Sequence, residues 1–189
     1  MGQSISGGAA TIAAATAPDV ITGLIELAPF TRKQSVLPLG GLLRVKRYRA
    51  GSTQLGMTMY LGSLSAWKKY LDLAYPTKPA DWDGELARID TKMSEPGRMK
   101  ALQAMCKSAP TDAGAQLPNV TCPVLIIEGG LDPDWADPRA EGEKIIADLP
   151  IGLMELAVIN SAGHYPHAQT PDEVLALTLP FLAKTLTNA

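Results

Sequence analysis

Short apolar runs closed by turn residues mark both ends of this chain of 189 residues. Near the N-terminus, Val20–Leu27 (VITGLIEL) has the length and apolar density of a central parallel strand. The Ala-rich stretch Gly7–Ala17 before it predicts a helix packed closely on a sheet, stopped by Pro18-Asp19. In the last third, Pro123–Ile127 predicts a second buried strand ended by the polar turn Glu128–Asp134, Pro138–Leu149 predicts a helix, and Leu153–Ile159 a further strand closed by Asn160–His164. A final helix is announced by Thr170 as N-cap, Pro171 at the first helical position and Glu173 completing a capping box. Strands separated by helices imply βαβ units, and hence an α/β fold with a mostly parallel sheet and flanking helices.

Between these ends the pattern changes. From Thr31 to about Pro118, short amphipathic pieces alternate with Gly and Pro, and Tyr48, Tyr60, Trp67, Tyr70, Tyr75 and Trp82 all fall there. This predicts a helical insertion whose aromatics form its core and interface, with some lining a substrate entrance. The basic run Arg44–Arg49 reads as the solvated face of a helix.

Composition narrows the partners. A net charge of −2 gives no global attraction to phosphate backbones or anionic membranes, so neither nucleic acid nor a membrane is the expected partner. Two cysteines, Cys106 and Cys122, do not make a disulfide framework, and no export signal or spanning run is evident, which predicts a cytoplasmic protein. Without such a signal, Asn119-Val120-Thr121 is an accidental glycosylation pattern.

Candidate chemistry sits where strands end, as it does in open α/β sheets. The opening GQSIS fits small-x-Ser-x-small, a strained strand-to-helix turn that presents a serine, here Ser4. Ser6 also fits the pattern, but the polar Gln3 before Ser4 favours the latter. Asp132 follows the strand ending at Ile127 and His164 follows the strand ending at Ile159. A serine needs a base to take its proton, imidazole has a suitable pKa, and a carboxylate on the far ring nitrogen fixes the tautomer. His164 is the candidate base and Asp132 the candidate acid, with Asp134 the alternative acid. The backbone N–H of Ile5 is the candidate oxyanion donor.

Competing patterns are weaker. His164 and His167 stand three residues apart without a third ligand type converging on them, so no metal site is expected. Asp132, Asp134 and Glu143 match three positions of a calcium loop, but Ala136 cannot ligate and Asp137 occupies the place of the turn glycine. Met1-Gly2 with Ser6 fits a myristoylation pattern, which would require an exposed Gly2 rather than one buried in a tight turn.

Taken together, the chain resembles a serine-type α/β-hydrolase with a helical cap. GQSISGG resembles the family's nucleophile elbow, APDVITGLIEL the helix end and strand after it, PVLIIEGGLDPDW the acid strand and turn, and SAGHYPHAQTPDEVLALTLPFL the histidine loop and last helix. The resemblance implies three parts: residues 1–30 as the elbow, helix and strand of the core, 31–118 as the cap, and 119–189 as the remainder of the core. It implies hydrolysis of a carboxylic ester or related small-molecule acyl compound with no cofactor. A non-catalytic fragment or binding module is the rival reading. The family places strands before the elbow, so Met1 reads as a truncated start. From this follow impaired activity and an exposed apolar edge on the Val20–Leu27 strand that invites self-association.

Overall fold

The computed structural model describes residues 1–32, 39–150, 152 and 154–187. Among the described residues four strands, β1 (Gly2–Gln3), β2 (Leu24–Leu27), β3 (Val124–Gly129) and β4 (Met154–Ile159), form one sheet in the order β1-β2-β3-β4. Every neighbouring pair is parallel. Parallel neighbours need crossovers. Helix α1 (Ile5–Thr16) supplies the one from β1 to β2, and α8 (Pro138–Asp148) the one from β3 to β4.

The near-continuous apolar runs are explained by burial on both faces of the sheet. Leu24, Val124 and Ile126 pack with Ala14 of α1 and Ile145 of α8. Their alternates Ile25, Leu27, Leu125 and Ile127 pack with Val174 and Phe181 of the C-terminal helix α10 (Pro171–Thr187). Two carboxylic acids interrupt the first face: Glu26 of β2 and Glu128 of β3 are fully buried.

Strand β2 is shorter than its hydrophobicity predicts. The N–H groups of Val20 and Ile21 both donate to the carbonyl of Ala17, which turns the chain and leaves Val20 exposed. Pairing starts only at Leu24, opposite Val124. Nor is the flank of β2 wholly open, because Gly2 and Gln3 pair with Glu26 and Leu27 and cover that half of the strand. At the C-terminus the expected capping box is absent. Thr170 Oγ1 donates to the carbonyl of Pro166, and Glu173 accepts from Ser161 Oγ instead.

Between β2 and β3, the described residues form helices and no strand: α2 (Leu39–Arg44), α3 (Lys46–Leu61), α4 (Leu64–Ala74), α5 (Trp82–Met93), α6 (Arg98–Cys106), α7 (Thr111–Gln116) and a 3-10 turn at Leu117–Asn119. Helix α3 ends on Gly62 in the left-handed conformation (φ 63°), and the next helix starts at once with Ser63 Oγ accepting from the Ala66 N–H. The helical layer stops earlier than Pro118. A Cβ on Gly8 of α1 would stand 3.1 Å from Ala113 of α7, and Leu117 and Val120 are members of the sheet core, so the chain from Thr111 packs with the sheet. No helix among the described residues is long and apolar enough to cross a membrane.

The ends of β3 and β4 are held together at glycine contacts. A Cβ on Gly129 would run into the carbonyl of Gly163, just before His164. Gly129→Ala is therefore expected to cost about 1–3 kcal/mol through overpacking, a fall of about 2–12 °C in melting temperature at this chain length. An unchanged thermal midpoint would mean that the histidine loop yields freely at this point.

Candidate active site

The elbow is built by backbone geometry. Ser4 has φ 52° and ψ −125°, a conformation that non-glycine residues avoid, between the two-residue strand β1 and α1. It is held there by backbone bonds: Ser4 N–H donates to Leu27, and the Ser4 carbonyl accepts from Phe30 and Gly7. Gly2 is required to be small, because a Cβ would collide with the Ser6 carbonyl and with Gly7. Ser6 is committed to the turn: its Oγ accepts from Gln3 N–H at 3.0 Å and donates to the Gln3 carbonyl at 2.6 Å. That capping role separates Ser6 from Ser4. The Gln3 side chain reaches across to donate to the carbonyl of His164 at 2.9 Å, tying the elbow to the histidine loop. Ile5 is the first residue of α1, so its N–H has no acceptor within the helix and lies at the positive end of the helix dipole.

On the facing side, the imidazole and two acids converge. His164 Nδ1 lies 2.7 Å from Asp132 Oδ2, and both residues are buried. Asp134 turns its N–H to Asp132 Oδ1 (2.9 Å) and its Oδ2 to within 3.5 Å of the same Nδ1. Burial alone would lower the imidazole pKa, but the carboxylates of Asp132 and Asp134 outweigh it and hold the group up at about 9. Burial raises Asp134, the Asp132 charge adds to this, and His164 and the Tyr70 hydroxyl oppose it. These three side chains also have ligand atoms within 4.8 Å of one another. Of the imidazole nitrogens, Nδ1 is already engaged by Asp132. His167 lies outside it, exposed on the short helix α9 (Pro166–Gln169).

Ser4 and His164 line one cavity of about 600 Å³, together with Gln3, Ile5 and Asp134. Among the described residues no hydrogen bond joins Ser4 to His164; the two meet across the cavity. The rest of the wall comes from the helical layer and is mainly apolar, with Tyr48, Leu55 and Met59 of α3, Trp67 and Tyr70 of α4, and Met105 of α6. Its aromatics are thus divided between this wall and packing, where Tyr75 stacks on Tyr165 at 4.5 Å.

Two features of the site escape a reading of the sequence. Arg47, within the expected solvated basic run, is half-buried and donates to the carbonyls of Gly130 and Trp135, one on each side of the acid turn (3.0 Å each). A neighbouring glycine admits the close approach: a Cβ on Gly51 would stand 2.7 Å from Pro133. The second feature is the carbonyl of Ala74, at the end of α4, which accepts from His164 N–H (3.0 Å) and from Gln169 Nε2 (3.1 Å). Gln169 Oε1 in turn accepts from Gly163 N–H. Neither contact has a local motif, because each depends on a helix meeting a loop far away in the chain.

A parallel sheet with a strained serine elbow, and an acid and a histidine after its last two strands, defines an α/β-hydrolase. The family model for the alpha/beta hydrolase family matches residues 1–177, and the chain belongs to that family. Similar solved structures include a thermophilic esterase from Thermogutta terrifontis (22% identity, TM-score 0.61, covering 97% of this chain and 64% of that one). Another is a 2-hydroxy-6-oxo-6-phenylhexa-2,4-dienoate hydrolase from Rhodococcus sp. strain RHA1 (15% identity, TM-score 0.69, covering 98% and 62%). A third is an α/β hydrolase enzyme from a Medee basin deep-sea metagenome library (20% identity, TM-score 0.66, covering 94% and 62%). At these identities the likeness is one of fold. The chain spans about three fifths of the length of these structures. No curated protein sequence matches it.

Proposed function

We propose that this chain carries the nucleophile, acid and base of a serine hydrolase that cleaves carboxylic esters or related acyl compounds through an acyl-enzyme on Ser4. The observation that carries the reading is the pairing of Asp132 with His164, which lines the cavity that also holds Ser4 on its strained turn. With Nδ1 bound to Asp132, the other ring nitrogen, Nε2, is the one that takes the Ser4 proton. Ser4 Oγ then attacks the substrate carbonyl carbon, and the carbonyl oxygen gains negative charge at the Ile5 N–H and the N-terminal end of α1. The imidazolium returns the proton to the leaving alkoxide as the carbon–oxygen bond breaks. Water, deprotonated by the same nitrogen, attacks the acyl carbon, and the proton goes back to Ser4 as the acid is released. The residues from 39 to about 108 act as a cap whose apolar aromatic wall favours an apolar or aromatic acyl or alcohol group and keeps water from the reacting bond.

A test that needs no knowledge of the substrate uses an alkyl fluorophosphonate, which reacts with activated serines. The expected result is a single adduct on the peptide containing Ser4, lost in Ser4→Ala and strongly slowed in His164→Ala. An adduct that persists in Ser4→Ala and maps to Ser6, or no adduct on the folded chain, would overturn the proposal.

A further inference from the structure

The turn after β3 carries a second acid that the serine–histidine–aspartate scheme does not use. Asp134 is held in place by Tyr70 of α4, whose hydroxyl donates to Asp134 Oδ1 at 2.8 Å while Oδ2 stands 3.5 Å from His164 Nδ1. Its own N–H is bound to the first acid, Asp132. Tyr70 is itself buried, stacked on Trp67 with ring centres 5.2 Å apart, so the donor is fixed rather than free to swing. The same helix α4 ends at Ala74, whose carbonyl binds the N–H of His164. One helix of the overlying layer therefore grips the second acid and the backbone of the histidine together.

We propose that Asp134 is a positioning residue for the base: held by Tyr70, its carboxylate shares the imidazolium charge of His164 with Asp132 and couples the ionisation of His164 to the docking of α4. The assignment rests on reading His164 as the base. Two carboxylates beside one imidazole favour its charged form more than one does. The charge lies against a cavity wall that the substrate must contact, so α4 can transmit the presence of a ligand to the base. Other groups facing His164 are Asp132 from the same turn, Glu128 from β3, Tyr165 and His167 from its own loop and α9, and Tyr70 from α4. Arg47 lies behind Asp132.

The chain has two histidines, which makes the test direct: the imidazole of His164 is followed by NMR through a pH titration in the wild type, Asp134→Asn and Tyr70→Phe. Asparagine keeps an acceptor for Tyr70 and removes the charge. The midpoint of His164 is expected to fall by about one pH unit in Asp134→Asn, the scale of a single lost charge interaction, and by a smaller step in the same direction in Tyr70→Phe. In hydrolysis of a short activated ester, Asp134→Asn should move the acid limb downward by the same step and lower the high-pH plateau of kcat by less than about tenfold, because a weaker base takes the proton less well, with KM within about twofold, since the charge acts on the base rather than on ground-state binding. An unchanged His164 midpoint in a variant that keeps its amide shift dispersion would overturn the proposal. So would a kcat loss in Asp134→Asn as large as that of Asp132→Asn, which would make Asp134 an acid of equal rank rather than a positioning residue. If Asp134→Asn does not fold, Tyr70→Phe decides: a downward shift supports the coupling and no shift ends it. Absence of Ser4-dependent turnover in the wild type would count against the hydrolase reading alone, because the titration still decides the role of Asp134.

Discussion

His164→Ala and Ser4→Ala should each abolish nearly all hydrolysis of a short activated ester, by a factor on the order of 10⁶, and the double variant should lose little more. In the proposed mechanism nucleophile and base act as one unit: without His164 the Ser4 proton has nowhere to go, and without Ser4 the base has nothing to activate. Asp132→Asn should be less damaging, about 10⁴-fold, because it disturbs the tautomer and charge of the imidazole while leaving both reacting groups in place. The pH profile carries a second signature. With the imidazole held up at about 9 by its two carboxylates, it is mostly cationic at neutral pH, and turnover should climb as the pH rises towards that value. Steady-state rates across pH 6 to 10, on the order of ten points per variant, check both statements. A plateau reached below the ordinary imidazole value of 6.5 would contradict the electrostatics, and loss in His164→Ala no greater than about tenfold would contradict the assignment of the base.

The second large effect concerns stability and centres on the two carboxylic acids buried within the sheet. Glu26 accepts from Thr11 Oγ1 and has its other oxygen unpartnered among the described residues; neither oxygen of Glu128 has a partner there. Burial pushes Glu26 from 4.5 up to about 7, only partly opposed by Thr11, and burial likewise pushes Glu128 well up, with the charges of Asp132 and Glu141 adding to it. A raised carboxyl pKa works against the folded state as the pH rises. Below about 4.5 both states are protonated and nothing is lost. Between about 4.5 and about 7 the unfolded chain releases a proton that folded Glu26 retains, and the penalty grows until it levels off above about 7. For Glu26 this amounts to at most about 3 kcal/mol. Glu26→Gln and Glu128→Gln should therefore raise the melting temperature at pH 8, for Glu26 by up to about 6–12 °C, with little change at pH 4.5. Thermal melts at the two pH values decide the matter, and an equal increment at both would point to packing instead of ionisation.

How far the sequence carried these assignments depends on how local each signal was. The elbow, the acid turn and the histidine loop were legible because each is a short string placed at a strand end, and the alternation of strands with helices fixed the parallel sheet. The start of β2 was not, since VITG is as apolar as the residues that follow it; the turn made by Val20 and Ile21 onto Ala17 decides the boundary. The capping box at Thr170 failed because its partners found other bonds, with Pro166 and Ser161. Arg47 was hidden within a basic run, and nothing near it in sequence indicates that two carbonyls of the acid turn, more than 80 residues away, are its acceptors. Between Asp132 and Asp134, two acids in one turn look alike in sequence; the distances of 2.7 and 3.5 Å to the imidazole rank them.

The doubly bonded carbonyl of Ala74 has a consequence for how the molecule opens. Since the amide of His164 has its acceptor on α4, and Gln169 braces the same oxygen, the histidine loop exchanges two fixed protein bonds for water once α4 lifts from the sheet. Local unfolding of the helical layer and disordering of the histidine loop then belong to one cooperative unit. Lifting of the helical layer is therefore expected to loosen the loop that carries His164 as water enters the cavity, and amide exchange at His164 should track that of α4.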